Sequence, residues 1–290
     1  MRLQERLAKN KNEGKALLAT NFYNFETLSA VLRAAKNTNS DIILQVSESS
    51  IDYLGVNVAK DLAKSASEQY GVTTWLHMDH GQDVTLVKKC IDAGFDSVMI
   101  DASEKPFEEN VKITSEIVKY AESANVNVEA ELGYISKLGQ DQKMVYTQPK
   151  EAKQFVEATG VNALAIAVGS AHGFYKETPK LQIDLIQEIN EVTPAALVLH
   201  GSSGIPDDQL QKAIKNGITK INLATEIKNI FMKSLREEFV ATDGIDLRVI
   251  FPKATAKATS LVEDKLRAIN HKNVQDKLKM INFIKVHNFS

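Results

Sequence analysis

Along nearly the whole 290-residue chain, short apolar runs rich in β-branched residues alternate with longer stretches whose apolar residues recur at helical spacing. The short runs are "ALLAT" (16–20), "DIILQVS" (41–47), "TTWLHM" (73–78), "DSVMID" (96–101), "VNVEAEL" (126–132), "ALAIAV" (163–168), "AALVLH" (195–200) and "TKINLA" (219–224). They predict eight strands. Stretches such as "NFETLSAVLRAAKN", "NVAKDLAKSASEQY", "ENVKITSEIVKYAESAN" and "PKEAKQFVEATG" lie between them and predict helices, several closing on a Gly or Asn. Uninterrupted apolar strands joined by helices imply a parallel sheet covered on both faces. Eight such units without a Pro-, Ser- or Gly-rich break point to an α/β fold, a single (β/α)8 TIM barrel spanning residues 1–290. A doubly wound open sheet is the competing arrangement. It loses weight because no "GxGxxG" follows the first strand and no "GxxxxGK[ST]" occurs anywhere. Beyond the eighth strand, "EIKNIFMKSLREEFV" and "KATAKATSLVEDKLRAIN" predict extra C-terminal helices. The Lys-rich tail "HKNVQDKLKMINFIKVHNFS" carries an apolar stripe, and the segment from about 252 to 290 is expected to pack on the barrel or on an oligomer partner.

Composition narrows the partners. Apolar residues make up 43% and charged residues 25%, the balance of a soluble protein with a sizeable core. Lys+Arg at 35 against Asp+Glu at 37 leaves a net charge of −2, so no overall field calls for nucleic acid or an anionic membrane. The expected partner is a small molecule. One cysteine, Cys90 in "LVKKCIDAGF", excludes an intramolecular disulfide and reads as a packing residue in a reducing compartment. The start "MRLQERLAKNKNEG" is charged and amphipathic with no apolar core, and no run approaches the ~20 apolar residues of a membrane span. The chain is therefore expected to be cytoplasmic.

In a barrel of this kind, chemistry belongs at the C-terminal ends of the strands. His80 lies just past the third run, His172 follows the sixth in "AIAVGSAHGFYK", and His200 ends the seventh. Ser47, Asp79, Asp101 and Glu131 end the second to fifth, so all these residues are expected on one rim. Three histidines converging on one face form the ligand set of a catalytic zinc site that keeps a position open. His77 shares strand parity with Asp79 and is expected to support the site, while His271 and His287 read as surface. Gly173, Gly201, Ser202, Ser203, Gly204, Ala224 and Thr225 fall in the loops after runs six to eight. There, backbone N–H groups and hydroxyls can wrap a phosphate.

These segments carry a family resemblance. "LHMDHG", "SVMID", "VEAELG", "GSAHGFYK", "LVLHGSSGIP" and "KINLATE" stand in the order and spacing of the class II, zinc-dependent ketose-bisphosphate aldolases, which include fructose- and tagatose-bisphosphate aldolases. The resemblance covers about residues 1–265. It implies a (β/α)8 barrel, usually a homodimer or homotetramer, that cleaves a ketose phosphate to dihydroxyacetone phosphate and an aldehyde. By match, His80, His172 and His200 resemble the zinc ligands, and Asp79 resembles the acid/base that handles the C4 hydroxyl. Glu131 and Asp101 resemble residues that hold an alternative metal position or support the first. Gly173, Lys176, Gly201, Ser203, Asn222, Ala224 and Thr225 match the dihydroxyacetone-phosphate pocket, where a monovalent cation, Na⁺ or K⁺, is expected to help. A carboxylate beside a metal is a natural proton carrier, worth about 10²–10⁴-fold in rate.

The chain departs from the family pattern in two places. After "VEAELG" the family usually has an acidic pair in its loop, including a glutamate that exchanges a proton on dihydroxyacetone phosphate. Here "YISKLGQDQKMVYTQP" offers only Asp141. In the penultimate helix, bisphosphate-cleaving relatives commonly carry an arginine that clamps the distal phosphate. The matching position here is Ala254, with Lys253 and Lys257 nearby as candidates for contacting the distal group. A distal phosphate, or a sulfonate as in 6-deoxy-6-sulfofructose 1-phosphate, a carboxylate or a hydroxyl, all stay open. Two other classes compete: a zinc-dependent barrel hydrolase, which usually carries a His-x-His on its first strand that "ALLATNFYN" lacks, and a non-catalytic aldolase-like binding protein.

Overall fold

The computed structural model describes residues 1–133, 135, 145–175 and 178–270. Eight strands close into an all-parallel barrel in chain order: β1 (Leu17–Asn21), β2 (Ile42–Ser47), β3 (Thr74–Gly81), β4 (Ser97–Ile100), β5 (Asn127–Leu132), β6 (Ala163–Ile166), β7 (Ala196–Leu199) and β8 (Ile218–Leu223). β8 pairs back onto β1, with Leu18 opposite Ile221, so the sheet has no free edge. All eight strands expected from sequence are present, most within one or two residues. The two differences matter for the site: β3 runs on through Asp79 to Gly81, and β6 stops at Ile166.

Helices α1 (Leu3–Glu13), α2 (Phe25–Asn37), α3 (Glu48–Leu54), α4 (Val56–Tyr70), α5 (Val84–Ala93), α6 (Phe107–Glu122), α7 (Pro149–Thr159), α8 (Ile183–Val192), α9 (Asp207–Lys215), α10 (Thr225–Ala241) and α11 (Leu247–Asn270) complete the described chain. Local signals set their ends. Asn24 accepts from the N–H of Thr27 while the Thr27 hydroxyl accepts from the N–H of Asn24, a reciprocal cap that starts α2. Side chains from the outer sheet face and the inner helix faces fill one apolar layer, from Leu18 and Leu44 to Val262 and Leu266. A second cluster lies inside the lower barrel, where Leu3 and Leu7 of α1 meet Leu17, Ile43, Trp75 and Val198. The charged N-terminal segment is thus a plug across the end opposite the rim. Its backbone is pinned there by the Trp75 indole N–H, which donates to the Met1 carbonyl at 3.1 Å.

α10 and α11 run antiparallel as an outer pair, held by Lys265 to Glu226 at one end and Lys253 to Glu238 at the other. Among the described residues no helix is long and apolar enough to cross a membrane.

Candidate active site

Consecutive strand residues face opposite sides of a sheet, so Asp79 and His80 should not both reach the barrel mouth. A bulge in β3 removes the conflict. The register with β4 runs His77 to Ser97 and Met78 to Val98, then resumes at Gly81 to Ile100, leaving one extra residue on β3. His80 absorbs it by adopting a left-handed backbone with φ of 52°, unusual for a residue with a Cβ and strained by about 1–3 kcal/mol. Asp79 and His80 then both serve the rim. Asp79 is held from two sides, accepting from Asn21 Nδ2 at 3.0 Å and from Asn222 Nδ2 at 3.2 Å. Burial alone would raise its pKa, but the surrounding His80, His200, Lys220 and His77 outweigh that and bring it down to about 2.

His80 and His200 each have one ring nitrogen committed to a carboxylate. His80 Nδ1 lies 2.8 Å from Asp101 Oδ2, and Asp101 Oδ1 in turn accepts from the Ser103 hydroxyl at 2.7 Å. Nε2 of His80 is left for the centre of the rim. Asp101 is therefore placed as the residue that orients His80. His200 uses its nitrogens the other way round: Nε2 donates to Glu129 Oε1 at 2.8 Å, and Nδ1 faces Glu131 Oε2 at 3.3 Å. Glu129 is fully buried, and its second oxygen accepts from Lys220 Nζ at 2.7 Å. Lys220 Nζ also lies 3.3 Å from His77 Nε2, while His77 Nδ1 pairs with Ser97 Oγ at 2.7 Å. Burial would raise the Glu129 pKa, yet Lys220 and His200 hold it well below the usual carboxylate range. For His77, burial and the neighbouring Lys220 press the pKa down to about 3, so it is a neutral support.

His172 completes the group from the loop after β6. Its ring centroid is 4.9 Å from that of His80 and 5.8 Å from that of His200, and His80 and His200 are 4.6 Å apart. Burial and the other two imidazoles lower its pKa to about 3, which leaves it neutral with one ring nitrogen free to accept or ligate. The three residues each present a ring nitrogen within 4.8 Å of the others, and His80, Asp101 and Glu131 form a second overlapping set. Two atoms facing this space, His200 Nδ1 and Glu131 Oε2, are buried without a hydrogen-bond partner among the described residues. Two imidazoles with outer nitrogens committed to carboxylates, a neutral third, and an unpartnered Glu131 oxygen among them fit a divalent cation, which would take the place of the His200 proton.

Two cavities meet at His80 and His172. One of about 140 Å³ is lined by Asn21, Asp79, Gly173, Gly201, Ser203, Asn222, Ala224 and Thr225. The other, about 440 Å³, is lined by Ser47, Glu48, Ser49, Asp52, Asp101, Ser103, Glu104, Glu131 and Ile135. Expected site residues thus divide between the two sides. Ser202 lies behind the first, its hydroxyl bonded to the Asn222 carbonyl at 2.6 Å. Asp141 and Lys176 lie outside the described residues. Lys253 is placed elsewhere in its own protomer: it pairs with Glu238 at 2.6 Å, about 18 Å along α10 from Glu226, which accepts from the Gly204 N–H near the rim. Lys257 is exposed one turn further along α11, and Ala254 is fully buried in the helix packing.

Glu129, Lys220 and Asn21 were not singled out from sequence, although a signal existed for two of them. Glu129 shares strand parity with Glu131 and Lys220 shares it with Asn222, so each faces the barrel interior where a charge needs a partner.

Comparisons with known proteins agree with this geometry. The family described as Fructose-bisphosphate aldolase class-II matches residues 1–274. A fructose-bisphosphate aldolase of Helicobacter pylori is 37% identical over 301 aligned positions, covering 93% of this chain and 97% of that one. One from Geobacillus stearothermophilus is 44% identical, covering 75% of this chain and 78% of its own. Among solved structures, a putative fructose-1,6-bisphosphate aldolase from Coccidioides immitis superposes with a TM-score of 0.85 at 31% identity, covering 93% of this chain and 96% of that one. The YdjI aldolase from Escherichia coli K12 superposes with a TM-score of 0.83 at 29% identity, covering 92% and 96%.

Proposed function

The chain belongs to the class II fructose-bisphosphate aldolases, a ketose-bisphosphate-cleaving lyase family, and from that membership we propose how its residues divide the reaction. The substrate is a ketose 1-phosphate cleaved reversibly to dihydroxyacetone phosphate and an aldehyde. His80, His172 and His200 hold Zn²⁺, with Glu131 beside them. When bound, Zn²⁺ supplies the Lewis acidity that stabilises the enediolate charge of the three-carbon product. Asp79 removes the proton from the C4 hydroxyl and returns it in the condensation direction. Its low pKa keeps it ionised, and its two amide donors fix its direction. Gly173, Gly201, Ser203, Asn222, Ala224 and Thr225 bind the dihydroxyacetone-phosphate end in the smaller cavity, with Lys176 and a monovalent cation assigned there from sequence. Asp141 is assigned the proton exchange on that product.

The observation that carries this reading is the convergence of three imidazoles beside the unpartnered Glu131 oxygen, with a braced carboxylate at the position before His80. The test is metal analysis together with release of dihydroxyacetone phosphate from fructose and tagatose 1,6-bisphosphates. Stoichiometric zinc and EDTA-sensitive cleavage are expected. Metal-free, inactive protein would instead point to a binding protein, and hydrolysis without aldol cleavage to a hydrolase.

The far end of the substrate has two readings. Family membership favours a distal phosphate. The larger cavity favours a less charged end, because among its described lining residues Ser47, Ser49 and Ser103 are joined by Glu48, Asp52 and Glu104 and by no lysine or arginine. Comparing kcat/KM for fructose 1,6-bisphosphate, 6-deoxy-6-sulfofructose 1-phosphate and fructose 1-phosphate decides between them. A bisphosphate preference above about 10²-fold would exclude the less charged reading. We also assign a homodimer or homotetramer. Phe239, Val240, Ile245, Leu247 and Val249 leave an apolar surface exposed where α10 turns into α11, and a mass measurement in solution tests it. The buried, unreactive Cys90 is in keeping with a cytoplasmic enzyme.

A further inference from the structure

Of the three candidate ligands, His172 has the least scaffold. His80 lies within β3 and His200 directly follows β7, whereas β6 ends at Ile166, well before His172. The loop that carries His172 is closed at its base, where the Gln182 N–H donates to the Val168 carbonyl at 2.8 Å. Beyond the barrel strands, His172 makes one isolated β-bridge, and a phenol oxygen ties the residue before it: the Tyr175 hydroxyl accepts from the Ala171 N–H at 2.6 Å and donates to the Gly201 carbonyl at 2.8 Å. Ala171 immediately precedes His172, and Gly201 immediately follows His200. A single hydroxyl therefore bridges the backbones of two residues, each adjacent in sequence to a candidate ligand.

Backbone geometry at the same place shows how tight that junction is. Gly201 has φ of 65°, and a Cβ there would fall on the Ala171 backbone, so the two chain segments are in direct contact. The Tyr175 ring lies under the next turn, 3.4 Å from where a Cβ on Gly204 would sit. Burial pushes the phenol pKa up to about 12, which keeps the proton in place for donation.

We propose that Tyr175 is a positioning residue whose hydroxyl sets the spacing of His172 and His200 and, through Gly173 and Gly201, the shape of the pocket beside them. The proposal rests on the metal reading given above. Tyr175 itself touches no reacting atom. Removing its oxygen leaves an N–H and a C=O unpaired, and the loop must shift to satisfy them. The shift moves His172 relative to His200, while Asp79 and His80 on β3 stay in place.

The test uses the full chain, stripped of metal and titrated with Co²⁺ against a competing chelator. Tyr175→Phe is expected to bind Co²⁺ about 10–100-fold more weakly, with a changed visible spectrum. At saturating metal, KM for the ketose phosphate should rise more than kcat falls. Thermal unfolding of the metal-free Phe variant should stay close to that of the wild type. Replacement of Tyr175 by 4-aminophenylalanine, whose amine can donate and accept, should recover most of the affinity. Wild-type Co²⁺ affinity and KM in the Phe variant would overturn the proposal. So would equal weakening by the Phe and amino variants together with a lower metal-free unfolding temperature, since that outcome marks ring packing. If the wild type itself binds no Co²⁺, the metal reading fails first and takes this proposal with it.

Discussion

The two halves of the rim are built differently. On one side Asp79, His80 and His200 stand in or directly after strands, and each is braced by buried or half-buried polar partners: Asn21 and Asn222, Asp101, and the Glu129–Lys220 pair. On the other side His172 and Gly173 sit on a loop whose anchorage is mostly backbone contact and one tyrosine hydroxyl. The strand side concentrates charge in the barrel interior, where a rigid ladder keeps every partner in reach and an unpaired ion would be costly. Among the described residues, the loop after β6 places the neutral His172 and Gly173 against the smaller cavity.

The largest expected effect lies on the strand side. Asp79→Ala should retain metal but lose about 10²–10⁴-fold in kcat, measured by steady-state cleavage with parallel metal analysis. Full activity would remove Asp79 from its role. Next in size is Lys220→Met, which leaves the buried Glu129 charge with histidines alone beside it among the described residues and should destabilise the metal-free protein by about 3–5 kcal/mol in a denaturant titration. Glu129→Leu added to it should recover part of that loss. His172→Ala offers the contrast, since it should abolish tight metal binding yet change metal-free stability by less than about 1 kcal/mol. If His172→Ala unfolds the metal-free protein as readily as Lys220→Met, the two halves are not distinct.

This division also explains what the sequence could disclose. Apolar periodicity reveals all eight strands because each is buried on both faces, and strand-end position alone brings His80, Asp101, Glu131 and His200 to one rim. The bulge at His80 was not legible, because the extra residue is defined against β4 and not within β3. Glu129 and Lys220 stood in plain view inside apolar runs. Parity says that they face inward, but their pairing depends on strands five and eight meeting across a closed barrel. Ala254 and Lys253, matched to a clamp through the family resemblance, stand away from the rim of their own chain, because α10 leads outward before α11 turns back. A smaller effect tests the brace on His80. Asp101→Asn keeps a hydrogen bond but removes the charge that holds the ring, and should weaken metal binding about 10-fold or somewhat more in a chelator competition.

The smallest prediction separates the halves by their protons. In the metal-free protein, burial would lower the pKa of His200, but Glu129 and Glu131 outweigh it and raise it to about 10. His80 is also raised, with burial opposed and overcome by Asp79 and Asp101, whereas His172 lies near 3. A raised folded-state pKa contributes stability that is complete below the unfolded value of about 6.5 and is lost as pH climbs toward about 10. The metal-free protein should therefore lose this contribution across that interval. A bound metal replaces the His200 proton, so the stabilisation it confers should grow over the same range. Where His200 holds its extra proton, metal affinity should rise about tenfold per pH unit, and more steeply wherever His80 is protonated as well. Counting protons released into weak buffer as metal is added measures the same quantity directly. Release of one to two protons is expected, all from the strand-borne histidines. Three protons, persisting in Glu131→Gln, would mean that His172 is charged before metal arrives, and that the loop side is electrostatically no different from the strand side.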